Sequence, residues 1–258
     1  MRIFAAALSV PLLALLPLAP ASAFSQEAGQ AIAYETVIFE EPGYVQEPVG
    51  GIAVESVPAG GERLVDSGWQ QASPAPIPKG IAAYGPFRVV DAHHAALVGV
   101  TDSRSPERFA AMLRDWPVIA ELEMIECPGT EDDLANLRLG RMIRARGIAT
   151  HVPDGGSVRS GAVELFLAGA HRYADPGAEF AVHSWIDDSG HEAGDYAADS
   201  PENRRYLDYY RQMGMDAGEA RAFYAMTNSV PFESALWFGS AEMGRWVPLD
   251  REVTGPGA

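Results

Sequence analysis

Ser160 and His183 stand 23 positions apart, each in a setting that lets a side chain act on a substrate. Ser160 is followed by Gly161 and Ala162, small residues that leave the backbone open to an approaching group. His183 closes the run Glu179-Phe180-Ala181-Val182. A serine hydroxyl is a weak nucleophile until an imidazole takes its proton, so this pair suits acyl transfer and hydrolysis. The tetrahedral intermediate of that chemistry carries a negative oxygen, and one backbone N–H aimed at it is worth about 3–4 kcal/mol. Candidate donors are Gly129 and Thr130, in the turn Pro128-Gly129-Thr130, and Gly161, directly after the serine. A helix opening at Ser160 adds a favourable dipole. Taken singly, Ser160 reads as a helix cap, His183 as a core imidazole and Pro128-Gly129 as a plain turn. Only their joint order points to chemistry.

A third partner for the histidine is not fixed by spacing. Glu233 is the candidate by charge, with Asn228 and Ser234 as polar neighbours. Glu164 is another: it lies four positions after Ser160, on the same helix face. A glutamate among Leu165, Phe166 and Leu167 needs a partner.

The elements that must hold these residues are readable from about Gly85 onward. Apolar runs at 87–90 and 95–100 form a strand pair. Ser105-Pro106-Glu107 offers a cap and an early proline for a helix carrying Phe109, Met112 and Leu113. A strand covers 119–125. Thr130 is placed to cap the next helix, whose apolar face is Leu134, Leu137, Leu139, Met142 and Ile143 and which Gly147 ends. Further strands are expected at 148–152 and 179–183, and helices at 159–168, 201–213, 216–226 and from Ser240. Strand–helix–strand with short links is the mark of a parallel α/β sheet. The candidate residues follow strand ends, where open α/β sheets bind ligands.

The order Pro128-Gly129, Ser160, Ala168-Gly169 and His183 resembles the Clp protease proteolytic subunit, within the crotonase superfamily. The spacings, 31 positions from Gly129 to Ser160 and 23 to His183, fit that resemblance. So does the tail Ser240-Ala241-Glu242-Met243 followed by Trp246-Val247-Pro248-Leu249-Asp250, which resembles the family's closing helix and strand. The segment is most similar to exported ClpP-like proteins of bacteria. The resemblance covers about 98–250 and implies a ClpP/crotonase-like spiral of strand–strand–helix (ββα) units with a mostly parallel sheet. It also implies a homo-oligomer, Ser160 as nucleophile, His183 as base and an oxyanion hole from Gly129, Thr130 and Gly161. Two departures stand out. Thr130 replaces the family's second glycine, and Leu236 falls where the third triad member would stand.

Around this core, residues 1–23 read as a signal peptide: Arg2, an apolar run broken by Pro11, Pro17 and Pro20, then Ala21-Ser22-Ala23. Residues 24–78 are a Pro/Gly-rich segment or linker, and 79–258 form the ClpP/crotonase-like domain. Cleavage near Ala23 leaves about 235 residues, periplasmic or secreted, without a stable membrane span. The net charge of −16 argues against nucleic acid. The single Cys127 cannot make an internal disulfide. No metal or other cofactor is expected; His191 with Asp187, Asp188 and Asp195 shows no recognised ligand spacing. Tyr206, Tyr209, Tyr210, Phe223 and Tyr224 read as core or as an oligomer interface. The resulting expectation is a cell-envelope serine hydrolase, peptidase-like, acting on a peptide or ester. The alternative is an inactive ClpP-like binding or scaffolding protein. Acyl-CoA chemistry is disfavoured by export and by the lack of a basic cluster for its phosphates.

Overall fold

The computed structural model describes residues 74–250. The signal-peptide reading of 1–23 and nearly all of the Pro/Gly-rich segment lie outside the described residues, as do 251–258. In chain order the elements are β1 (Ala82–Tyr84), β2 (Phe87–Val89), β3 (His94–Val98), α1 (Ser105–Asp115), β4 (Glu121–Cys127), α2 (Asp133–Ala145), β5 (Ala149–Val152) and β6 (Ser157–Arg159). Then come α3 (Ala162–Leu167), β7 (Arg172–Ala174), β8 (Glu179–Val182), α4 (Pro201–Gln212), α5 (Ala217–Thr227), β9 (Leu236–Gly239) and α6 (Ser240–Trp246).

The strands form one sheet, parallel through its middle and antiparallel at both ends, where β1–β2–β3 and β8–β9 pair. β4 is the branch point. Its first residues pair with β5, from Glu121↔Ala149 to Glu123↔His151, and its last two with β6, Glu126↔Ser157 and Cys127↔Val158. β7 then adds to β5 and β8 to β6, all parallel. Leu122, Met124 and Cys127 of β4 are fully buried, while Glu121, Glu123 and Glu126 turn to the other face. β8 is buried along its whole length, as expected for a parallel strand covered on both faces.

The core gathers Phe87, Phe109, Met112, Leu122, Met124, Phe166 and Phe180. Phe180 stacks between Phe166 and Phe238, at ring-centroid distances of 5.0 and 5.8 Å. Each such side chain contributes about 1.5–3 kcal/mol on leaving water. Among the described residues no helix is long and apolar enough to cross a membrane.

Several local expectations are corrected. The cap of α2 is Asp132, whose Oδ1 accepts the Ala135 N–H at 2.9 Å; Thr130 is drawn away because its hydroxyl serves Asp132 N–H and the Thr101 carbonyl. Ser105 is the first residue of α1 rather than its cap, and its hydroxyl is held by Asp102. α3 starts at Ala162, three residues later than expected, because 157–159 enter the sheet as β6. The chain after α6 is not a strand. Asp250 instead docks on Arg172, its N–H donating to the Arg172 carbonyl at 2.8 Å and its Oδ2 accepting from Arg172 N at 3.0 Å.

Candidate active site

Ser160 occupies the turn from β6 into α3. Its N–H donates to the Ala181 carbonyl at 2.9 Å, which prolongs the β6–β8 ladder by one residue, and its carbonyl accepts from Val163 N at 2.9 Å. The chain must reverse direction within that residue, and Ser160 takes φ +50° to do so. It is the one non-glycine residue with positive φ among the described residues. A left-handed backbone costs a residue with a Cβ roughly 1–2 kcal/mol. Strain of this kind concentrates at sites where a side chain is presented for chemistry, as in the strand-to-helix nucleophile elbow of α/β-hydrolases.

His183 follows the last residue of β8, the strand beside β6, so the ladder that seats Ser160 also carries His183 to the same cleft. Its Nδ1 lies 2.9 Å from the Ser184 carbonyl. A carbonyl only accepts, so Nδ1 carries the proton and Nε2 is left as the basic nitrogen. The Phe232 ring meets the imidazole edge-on, with centroids 5.1 Å apart. Burial lowers the His183 pKa, against smaller opposing effects of the Ser184 carbonyl and Glu192, which keeps the ring neutral near pH 7. Ser160 Oγ makes no hydrogen bond among the described residues.

The turn at 128–130 packs directly on the serine. A Cβ added to Gly129 would lie 3.0 Å from Ser160 Cβ and 3.3 Å from its Oγ. Gly129 adopts φ +141°, so the conformational demand falls on the glycine and Thr130 escapes it. Thr130 instead fills space: a Cβ on Gly161 would come within 2.6 Å of Thr130 Cγ2. Two residues that sequence reasoning passed over lock this arrangement. Asn136 Nδ2 donates to the Gly161 carbonyl at 2.5 Å, and the Thr101 hydroxyl lies 3.0 Å from Asn136 Oδ1 and 3.3 Å from the Gly129 carbonyl. The Thr101 N–H also donates to Gly129 O at 3.1 Å. With those carbonyls tied back, the N–H groups of Gly129, Thr130 and Gly161 have no acceptor among the described residues. Asn136 was detectable: it falls on the buried stripe Asp133, Asn136, Leu137, Gly140 of α2, where a polar residue needs a reason.

Glu233 is not the orienting group. It is exposed and makes no hydrogen bond or ion pair among the described residues. The turn closed by Ser234 N and the Pro231 carbonyl, at 3.0 Å, sets the Phe232 ring rather than the next side chain against the imidazole. The Ser184 main chain takes the place of a carboxylate. Glu164 does line the cleft, but it is held by Tyr210, whose hydroxyl donates to Oε1 at 2.8 Å. Burial pushes its pKa up to about 7. Asp133, beside it, accepts from Tyr206 at 2.5 Å, and burial raises its pKa as well. The tyrosines of α4 are therefore core and cleft floor. Asn228 donates to the Tyr224 carbonyl at 2.8 Å, while its Oδ1 sits buried in the cleft wall with no partner among the described residues. The cleft holds about 40 Å³, room for a few waters.

No family model and no curated protein matches the chain. Among solved structures, the chain is similar to a mutant of a membrane-bound stomatin-specific protease in complex with a substrate peptide. The identity is 14%, 58% of this chain and 72% of that chain are covered, and the TM-score is 0.38. At that TM-score the likeness carries no weight for fold or activity. What the structure itself displays is a mixed α/β chain with a mostly parallel sheet, in which a strained serine and a half-buried histidine line one cleft.

Proposed function

We propose that this chain is a serine hydrolase, peptidase-like, built on a ClpP/crotonase-like fold and working in the cell envelope after export. The observation that carries the reading is the left-handed Ser160 between two sets of N–H groups that lack acceptors among the described residues, with His183 at the end of the adjacent strand. Ser160 Oγ attacks an acyl carbon. His183 Nε2 takes the hydroxyl proton and returns it to the leaving group, with Nδ1 anchored on the Ser184 carbonyl. Gly161 N–H, with Gly129 or Thr130 N–H, receives the oxyanion. Nucleophile–base hydrogen bonds are often long in the free enzyme and tighten with substrate.

A fluorophosphonate probe tests this. The protein labels at Ser160, and Ser160→Ala and His183→Ala lose the label. A folded protein that stays unlabelled sinks the hydrolase reading. The second reading, an inactive binding or scaffolding protein of the same fold, is favoured by the unbonded Ser160 hydroxyl and the missing carboxylate partner.

A further inference from the structure

On the opposite face of β4 from the core, Glu121 and Glu123 alternate with the buried Leu122 and Met124. Glu123 is the register partner of His151 on β5, so the three side chains meet on one rigid parallel ladder. We propose that Glu121, Glu123 and His151 bind a divalent first-row transition metal, zinc foremost.

One ligand atom from each residue lies within 4.8 Å of the other two. His151 Nδ1 and Glu121 Oε1 are 3.2 Å apart. Two ligands about 2.0–2.2 Å from a tetrahedral zinc are separated by roughly 3.4 Å, so this edge is already set and the ion replaces the proton that now bridges it. The other ring nitrogen, Nε2, is 3.1 Å from Asp175 Oδ1. Most metal-bound histidines are oriented in this way, by a carboxylate on the far nitrogen. The edge of the Tyr173 ring further fixes the imidazole, at a centroid distance of 6.2 Å. Two carboxylates balance the charge of a divalent ion. An imidazole among them favours zinc and its neighbours over magnesium or calcium, which prefer all-oxygen shells. The site is accessible, with the Glu121 side chain 25% exposed and His151 11%. Three protein ligands leave a fourth position for water. None of the three residues touches the Ser160 cleft, so the site stands or falls independently of the hydrolase reading.

The test uses the purified protein stripped by a chelator, titrated with zinc by calorimetry and with cobalt by visible absorption. The expected result is one equivalent bound with submicromolar affinity, cobalt d–d bands, and a raised unfolding temperature. Glu121→Gln/Glu123→Gln, which keeps side-chain shape, weakens binding at least 100-fold, as does His151→Ala. Asp175→Asn weakens it about 10–100-fold. Ser160→Ala leaves it unchanged. No saturable uptake at tens of micromolar metal, or uptake undiminished in the double glutamine variant, overturns the proposal.

Discussion

Replacing Ser160 by glycine and by alanine separates its strain from its chemistry. The residue sits at φ +50°, where a Cβ costs roughly 1–2 kcal/mol. Alanine keeps the Cβ and removes a hydroxyl that makes no hydrogen bond among the described residues, so Ser160→Ala changes stability by less than about 0.5 kcal/mol. Glycine removes the Cβ and the strain. It also loosens the unfolded chain, which returns about 0.5–1 kcal/mol of the gain. Ser160→Gly should therefore be about 0–1.5 kcal/mol more stable than Ser160→Ala, or up to ~6 °C in Tm for a chain of this size. Urea unfolding at matched m-values reads the difference, and fluorophosphonate labelling reads the chemistry on the same samples. If the glycine variant is less stable than the alanine variant by about 0.5–1 kcal/mol, the residue is not strained in solution. If either variant still labels, Ser160 is not the nucleophile.

Gly129→Ala places a Cβ against Ser160 in a backbone region closed to alanine. It should cost about 1–3 kcal/mol and slow labelling at least about tenfold; wild-type labelling would exclude this turn from the site. Asn136→Leu strands the Gly161 carbonyl and leaves the Thr101 hydroxyl only its longer bond to Gly129 O, for a loss of ~2 kcal/mol by denaturation together with slower labelling. Glu164 has a folded pKa of about 7, above its ordinary 4.5. Its stabilising neutral form is fully present below 4.5 and is lost as pH rises through 7. Glu164→Gln should thus raise stability by ~3 kcal/mol at pH 8 and little at pH 4, and equal effects at both would refute the assignment. For His183 the sign is reversed. Its folded pKa is lowered by burial, so its contribution is complete above 6.5 and falls as pH drops below that value. His183→Gln should flatten that part of the pH–stability curve, and an unchanged slope would show that the ring is not buried neutral.

The long elements were legible because periodicity and caps agree in them. Phe109, Met112 and Leu113 mark α1, the charged-first-turn pattern marks α2, and 201–213 with 216–226 anticipate α4 and α5 to within a residue or two. The strands β1, β6, β7 and β9 escaped, since three or four residues such as Ser157-Val158-Arg159 are too few to display a period of two. Missing β6 placed Ser160 inside a helix instead of at a strand-to-helix turn. The strain that marks the residue is a property of that turn and of no residue type. Glu233 was chosen on charge alone, and charge does not report which way a turn points its side chains. The glutamates of β4 and His151 lie 28 or more positions apart and meet only through the ladder, which no local spacing encodes.

β4 lends one part of its length to β5 and another to β6, so both later stacks hang from a single seven-residue segment. Either stack can fray outward from β7 or β8 while β4 stays paired with β3 and with the other stack. The β4 amides that face β5 therefore exchange with solvent deuterium when that branch opens and those that face β6 when the other does, while the amides that face β3 stay protected until that seam itself parts. The seams of β4 with β3 and with β5 each close over a single helix, α1 and α2, and so over a short stretch of chain.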